Sequence, residues 1–196
     1  WGKAGETLKL LNGNTVTVDE QVGVIADDAQ VESLAGIMGG DATAVSDATQ
    51  NIYIEAAFWW PRAIAGRSRR FNFSTDAGHR FERGVDPQSC VDGLNLAIAL
   101  ILEYGGGQVS KAKIAGSIPV RMKKVTFYPV DVERLTGLVV KPAEMKRILK
   151  DLEFDIEDAG DAWYLLPPSH RFDMEQSADI VEEIARLIGF DQLPTT

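Results

Sequence analysis

The sequence predicts an α+β protein, in which a β-rich first part is followed by a small unit with the element order β-α-α-β-β-α. Short alternating or apolar runs between turn residues open the chain, as is typical of strands. Longer segments with helical spacing of apolar residues alternate with strands near its end. Between the two patterns lies the proline-bearing stretch "GSIPVRMKK" at 116–124. We therefore expect two domains, 1–118 and 119–196.

The strands of the first part are predicted from short runs. "ETLKLL", "NTVTV" and "VGVIADD" are such runs, and the turn signal Asn12-Gly13-Asn14 separates the first two. "NIYIEAAF" at 51–58 predicts a further strand, which carries Glu55. A last strand is predicted at 108–116.

Two helices are predicted in the same part. Pro61 suits a first helical turn, which predicts a short helix over 61–70. Asp86 followed by Pro87 predicts the cap and start of a longer helix that ends near Tyr104, before a "GGG" run. The core face of this helix should consist of Val91, Leu94, Ile98 and Ile101.

The second part is predicted to be similar in outline to winged-helix folds. Lys141-Pro142 begins one of its helices, and Gly160-Asp161 suits a turn between two strands. The predicted elements are a strand at 124–128, helices at 130–136 and 142–151, strands at 153–157 and 162–167, and a helix at 177–188.

Composition sets limits on function. The chain has 196 residues, 45% of them hydrophobic and 25% charged, which is ordinary for a globular protein. No apolar run approaches the roughly 20 residues that span a bilayer, so we expect no membrane partner and a cytoplasmic location. The single cysteine, Cys90, excludes an internal disulfide and a cysteine-rich zinc site.

Charge is unevenly distributed along the chain. The net charge of −9 argues against a general nucleic-acid coat protein. Residues 62–86 nevertheless hold six arginines against Asp76, Glu82 and Asp86, within or near the stretch "FNFSTDAGHRFERGVDP". These arginines either pair with the carboxylates on a solvated face or bind phosphate, for which arginine is well suited.

Other polar motifs in this part leave alternatives open. The loop "GIMGG" lacks the lysine of a P-loop, so it is either a tight turn or a pocket wall where a ligand approaches the backbone. His79 and His170 are 91 residues apart and have no accompanying nucleophile motif, which argues against a catalytic triad.

Carboxylates cluster around the last predicted helix. Asp179, Glu182 and Glu183 share one helical face, and Asp173 precedes the helix. The acids either favour the positive end of the helix dipole or bind a hard cation such as Mg²⁺. If they form a cation site, we expect the four carboxylates to lie near one another even when the site is empty, some with a pKa raised by mutual repulsion.

Three motifs in order resemble the beta subunits of bacterial phenylalanyl-tRNA synthetases. They are "LAGIMGG", "IEAAFWWPRAIAGRSRRFNFSTDAGHRFERGVDP" and "PPSHRFDMEQSADIVEEIARLIGFDQLP". The resemblance implies that the chain is an internal fragment, with the C-terminal half of a tRNA-editing module at 1–118 and a small module bearing Mg²⁺ ligands at 119–196. It departs from the family at Gly78, where serine is common.

The resemblance also implies site residues. Glu55, Thr75 and Ala77 would line the pocket for a misattached amino acid, with Ala35 and Gly39 in its wall. Asp173, Asp179, Glu182 and Glu183 would hold Mg²⁺ at a site shared with the alpha subunit. We add, as our own interpretation, that the nearby arginines hold the tRNA end: Arg67, Arg69, Arg70, Arg80 and Arg83.

The resemblance implies that the chain is part of phenylalanine–tRNA ligase, an ATP- and Mg²⁺-dependent α₂β₂ enzyme that acts on tRNA(Phe). ATP would bind the whole enzyme and not this fragment, which would not aminoacylate alone. The function of the fragment itself would be to contribute to hydrolytic editing of Tyr-tRNA(Phe). The alternative is a non-catalytic RNA- or protein-binding module built from the same parts.

Overall fold

A computed structural model describes residues 1–119 and 123–194. The chain divides into two compact units, Trp1–Ile118 and Pro119–Thr196, and the division falls at the domain boundary predicted from the sequence. Positions 120–122, which belong to the predicted linker, lie outside the described residues. None of the helices in the described part of the chain combines the length and apolar character needed to cross a bilayer.

The first unit contains two small antiparallel sheets. Strands β1 (Thr7–Lys9) and β2 (Thr15–Thr17) form a hairpin. Strands β3 (Val24–Ala26), β4 (Val31–Leu34) and β5 (Met38–Gly39) form a second sheet in that order. The three strand-like runs predicted at the start of the chain are thus strands.

The core of this unit joins the sheets to the segment that follows them. The buried side chains are apolar residues of the strands and their turns, together with one helical residue. They are Leu8, Leu10, Val16, Val18, Val22, Val31, Leu34, Ile37 and Ile64. Trp59, Phe71, Phe73 and Phe81 pack against this cluster while partly exposed.

The helices of the first unit differ from the prediction in their limits. The helix predicted at 61–70 is two short helices, α1 (Pro61–Ile64) and α2 (Arg67–Arg70), because Gly66 adopts a left-handed conformation between them. Helix α3 (Asp76–Arg83) follows. Helix α4 (Ser89–Gly105) begins later than predicted. The Asp86 carboxylate instead accepts a hydrogen bond from the Gln88 amide in the preceding turn, at 2.9 Å.

Three further expectations for the first unit are wrong. Residues 51–58 and 108–116 are not strands, since a strand needs a hydrogen-bonding neighbour and neither stretch has one among the described residues. Helix α4 has no buried core face: none of its residues is fully buried, and Val91 and Ile101 are exposed.

The second unit has the predicted element order. Its elements are β6 (Val125–Phe127), α5 (Val130–Thr136), α6 (Pro142–Asp151), β7 (Asp155–Asp158), β8 (Trp163–Leu166) and α7 (Ser177–Ile188), followed by a 3₁₀ turn at Phe190–Gln192. The sheet order is β6-β8-β7, with antiparallel pairing throughout. The α+β class and the β-α-α-β-β-α order are confirmed.

One apolar core holds the second unit together. Phe127 and Leu165 from the sheet are fully buried, and their neighbour Trp163 is almost so. Ile180 and Ile184 of α7 are fully buried in the same cluster. Burial of each such side chain contributes about 1.5–3 kcal/mol. This core holds α7 in place, and α7 carries three of the four predicted metal ligands, Asp179, Glu182 and Glu183.

Candidate functional site

A cavity of about 340 Å³ lies beside Glu55 in the first unit. Its wall contains Gly36 and the rings of Trp59 and Phe81. Polar groups from the turn before α4 and from its first residues complete the lining, among them Asp86, Ser89 and Cys90. Mainly apolar walls with a few polar groups are typical of small-molecule sites, and the volume lies near the lower end of their range of about 300–1,000 Å³.

Glu55 is one of two carboxyls in the cavity lining, and Asp86 is the other. Partial burial raises the pKa of the Glu55 carboxyl above its ordinary value. The residue as a whole remains exposed at the rim, so this shift contributes little to stability. A carboxyl in this position can accept a hydrogen bond from a ligand when ionised and donate one when protonated.

Cys90 is unsuited to act as a nucleophile in this cavity. Burial, followed by the negative charge of Asp86, raises the pKa of the Cys90 thiol. The thiol is therefore protonated at neutral pH, whereas the thiolate is the reactive form.

The glycine loop forms the cavity wall because Gly36 has no side chain. A Cβ atom there would lie 2.8 Å from Trp59, 3.1 Å from Ile64 and 3.3 Å from Phe81. Gly36 also has a φ of +65°, which favours glycine. Both readings of "GIMGG" therefore hold at this residue, since it makes a turn and lines a cavity.

Thr75 connects the glycine loop to α3. Its hydroxyl donates a hydrogen bond to the carbonyl of Ile37 at 2.8 Å and accepts one from the amide of Gly78 at 3.0 Å, which caps the helix. Gly78 is buried, and a Cβ there would meet the Ser68 hydroxyl at 2.6 Å. Glycine thus fits at this position.

The predicted pocket residues do not all line one cavity. Of the five, Glu55 lines the cavity described above, and Thr75, Ala77, Ala35 and Gly39 are outside its lining. Ala35 is buried next to Gly23, and Gly39 belongs to β5. Gly36, and not Gly39, is the residue of the glycine loop that lines this cavity.

The five arginines that we predicted to hold the tRNA end fall into two groups. Arg67 donates to the Gln21 carbonyl at 2.8 Å, and Arg70 makes a two-pronged ion pair with Asp19 at 3.1 and 2.5 Å. Arg83 contacts both His79, at 3.0 Å, and Glu82, at 2.8 Å. These three therefore have structural partners.

Arg69 and Arg80 form the other group. Both are exposed, and neither makes a hydrogen bond or ion pair with any residue of 1–119 or 123–194. His79, Arg80 and Arg83 share the outer face of α3 by their spacing along the helix.

In the second unit, the candidate metal ligands bind protein donors. Asp173 accepts from Arg171 through both oxygens, at 2.9 and 2.8 Å. Buried Glu183 accepts from Arg171 at 3.0 Å and from Arg186 at 2.5 Å. Asp179 accepts from two backbone amides just before α7, in a capping box. Glu182 is exposed.

As they stand, these residues do not fit Mg²⁺. Within the described ranges no group of three or more metal-binding side chains is placed to hold an ion. Magnesium requires about six oxygens in near-octahedral arrangement, and two guanidinium groups occupy the oxygens of Asp173 and Glu183. The raised pKa expected here is wrong: the hydrogen bonds from Arg171 lower the pKa of both carboxyls.

Two family models match the chain. The B3/4 domain matches residues 1–106, and the tRNA synthetase B5 domain matches residues 125–190. The chain therefore belongs to the B3/4 domain family and continues into a B5 domain.

The relatives with curated names are phenylalanine–tRNA ligase beta subunits. The chain is 51% identical to those of Ralstonia nicotianae and Burkholderia mallei and 48% identical to that of Bordetella pertussis, with 99% of this chain covered in each case. It spans 24% of the length of each relative. The resemblance to these beta subunits, as an internal fragment, is confirmed.

Proposed function

We propose that this chain is part of a phenylalanine–tRNA ligase beta subunit and that its first unit takes part in hydrolytic editing of Tyr-tRNA(Phe). The cavity beside Glu55 is the observation that supports this most. It combines apolar and aromatic walls with the carboxyls of Glu55 and Asp86, which matches the chemistry of a tyrosine side chain. The names of the relatives support the assignment to a phenylalanine–tRNA ligase beta subunit.

The physical need for such a site follows from the likeness of the two amino acids. Tyrosine differs from phenylalanine by one hydroxyl, and an apolar synthetic pocket rejects such an analogue only about 10²-fold. A second site that hydrogen-bonds the hydroxyl inverts the preference, since phenylalanine would leave polar groups without partners.

In this proposal Glu55 recognises the phenol, and Trp59 and Phe81 contact its ring. Gly36 allows the ring to approach the backbone because it has no side chain. Thr75 holds the glycine loop in place through the Ile37 carbonyl, so its role is to position the wall. Because the Cys90 thiol is protonated, we assign hydrolysis to water acting on a correctly placed ester, without a covalent intermediate on Cys90.

We further propose that Arg69 and Arg80 contact the phosphates of tRNA(Phe). Their guanidinium groups have no partner among the described residues, whereas Arg67, Arg70 and Arg83 serve local structure. A free, exposed arginine can form bidentate contacts with a phosphate without breaking an existing ion pair.

For the whole protein we propose assembly with an alpha subunit as an α₂β₂ tetramer in the cytoplasm. ATP- and Mg²⁺-dependent ligation of phenylalanine to tRNA(Phe) belongs to that assembly, with ATP bound outside this chain. The four carboxylates remain predicted Mg²⁺ ligands only for the assembled enzyme.

The test is Tyr-tRNA(Phe) hydrolysis by the full-length protein with its alpha subunit, carrying Glu55→Gln or Glu55→Ala. Loss of a hydrogen bond to a charged group costs about 1.5–3 kcal/mol, so we expect kcat/KM for hydrolysis to fall roughly 10- to 150-fold. Phenylalanine charging should be unchanged. Glu20→Gln is the matched control, because Glu20 is exposed and distant in sequence from the cavity lining.

Wild-type rates of hydrolysis in both Glu55 variants would contradict the assignment of Glu55 to the editing site. Absence of hydrolysis by the wild-type protein, with tRNA binding retained, would favour the non-catalytic RNA-binding alternative, for which the unpaired arginines are the supporting observation.

A further inference from the structure

Arg171 stands at the centre of the carboxylate group in the second unit. Its Nε and Nη2 atoms contact the two oxygens of Asp173, and Nη2 also reaches Glu183 at 3.0 Å. The side chain is only 20% exposed, and that of Glu183 is 9% exposed. The guanidinium thus lies between a carboxylate that precedes α7 and one on the helix itself.

This arrangement neutralises the charge repulsion that suggested a metal ion. Asp173 and Glu183 need a compensating cation, and Arg171 supplies one with a planar fork that matches a carboxylate. Arg186 adds a second positive charge at the other oxygen of Glu183. An arriving Mg²⁺ would meet both guanidinium groups at hydrogen-bond distance from the oxygens that it needs.

We propose that Arg171 is the resident counter-ion of Asp173 and Glu183, and that Mg²⁺ and the Arg171 guanidinium exclude each other at this group. Metal binding here therefore requires Arg171 to leave both carboxylates. When Arg171 contacts both carboxylates, it connects the segment before α7 to the helix. Asp173 lies in that segment, and Glu183, ten residues later in the chain, lies on the helix.

Fastening this segment also shapes a neighbouring surface. A second cavity, of about 260 Å³, has Arg171 in its lining together with Pro167, Pro168, Met174 and Glu175. Met174 is buried in the core, and its sulfur lies 3.6 Å from Arg171 Nη2. Release of Arg171 from the carboxylates would therefore also change the shape of this cavity. The exchange of Arg171 for Mg²⁺ thus affects more of the unit than Asp173 and Glu183.

The test compares Mg²⁺ responses of the 196-residue chain and its variants. Melting temperatures are measured in MgCl₂ and in NaCl of equal ionic strength. We expect wild type to shift by less than about 1 °C, because no site is available. A ligand at about ten times its dissociation constant shifts a folding equilibrium about elevenfold, which for a unit of this size raises the melting temperature by roughly 6–11 °C.

Arg171→Gln should show a rise of that order in MgCl₂, since it frees both oxygens of Asp173 and the Oε1 atom of Glu183. Arg171→Gln/Glu183→Gln should lose the response. The matched control is Arg147→Gln, because Arg147 also joins two carboxylates, Glu144 and Asp151, but on the exposed surface of the same unit. An equal response in Arg147→Gln and Arg171→Gln would overturn the proposal.

A measurement on wild type alone covers the case in which Arg171→Gln fails to fold. Paramagnetic Mn²⁺ broadens amide signals near a bound ion. No selective broadening over 171–183 in wild type, at millimolar MnCl₂, supports the proposal. Selective broadening there, removed by Asp173→Asn, would show that metal binds with Arg171 in place and would overturn it.

Discussion

Gly36→Ala tests the wall of the Glu55 cavity. Two costs can be worked out from the structure. A residue with a Cβ in a left-handed conformation costs about 1–2 kcal/mol, and Gly36 has a φ of +65°. The added methyl would also lie 2.8 Å from Trp59 and within 3.3 Å of Ile64 and Phe81, and overpacking costs about 1–3 kcal/mol. We expect a total loss of roughly 2–5 kcal/mol in unfolding free energy.

Gly66→Ala separates the two costs. Gly66 has a φ of +76° in the same unit, but a Cβ there meets nothing within 4 Å. This control should therefore lose only the conformational part, about 1–2 kcal/mol. The difference between the two variants measures the close packing at Gly36.

The assay is urea unfolding followed by the amide signals of β3, β4 and β5, which report the first unit alone. In the full-length protein, Gly36→Ala should also lower Tyr-tRNA(Phe) hydrolysis, because the methyl displaces the rings that line the cavity. Equal losses of stability for Gly36→Ala and Gly66→Ala would refute the reasoning, since they would show that Trp59 and Phe81 do not press on the glycine.

Two further predictions concern charges. The hydrogen bond from the Ser177 hydroxyl to the carboxylate of buried Asp131, at 2.8 Å, is the main cause of the lowered pKa of Asp131. Its contribution to the free energy of unfolding is therefore present above the ordinary pKa of 3.8 and is lost as the pH falls through the lowered value. Ser177→Ala should lower the free energy of unfolding by roughly 1.5–3 kcal/mol at pH 7 and should make the decrease in stability at acid pH smaller. Urea unfolding from pH 2 to 6 measures this decrease, and an unaltered pH profile would contradict the prediction. Arg69→Gln/Arg80→Gln should weaken tRNA(Phe) binding by the full-length protein and reduce the slope of log affinity against log salt by about one per lost contact. Arg70→Gln should lower stability through Asp19 and leave the slope unchanged; equal slopes for all variants would exclude Arg69 and Arg80 as phosphate contacts.

The second unit could be predicted from the sequence because its signals are local and its core is complete. Helical spacing, Pro142 and the Gly160 turn each mark an element, and each apolar face meets a partner within the same unit. In the first unit the strand signal at 51–58 and the apolar face of α4 are equally clear. In the described part of the chain, residues 51–58 have no hydrogen-bonded strand partner and α4 has no fully buried residue, so the pattern alone gives the wrong structure.

The site was predictable only where one residue carries the chemistry. Glu55 stands out as a carboxyl in an apolar run, and the family resemblance points to it. Trp59 and Phe81 look like ordinary core residues in sequence, and their place beside Gly36 comes from the fold. Arg171 was missed for a similar reason, since its partner Glu183 is twelve residues away and the spacing of the acids suggested a metal.

The uneven distribution of charge along the chain suggested that one part meets an anion and the other a cation. The contacts limit the charged groups that are free to bind a ligand to a few side chains. A side chain that is already paired with a neighbour must break that contact before it binds a ligand. Arg67, Arg70 and Arg83 are held in this way in the first unit, and Asp173 and Glu183 in the second. Of the five arginines predicted to hold the tRNA end, only Arg69 and Arg80 are without such a partner among the described residues. Cation binding in the second unit depends on whether Arg171 is released, and its affinity should be set by that exchange more than by the number of acids on α7.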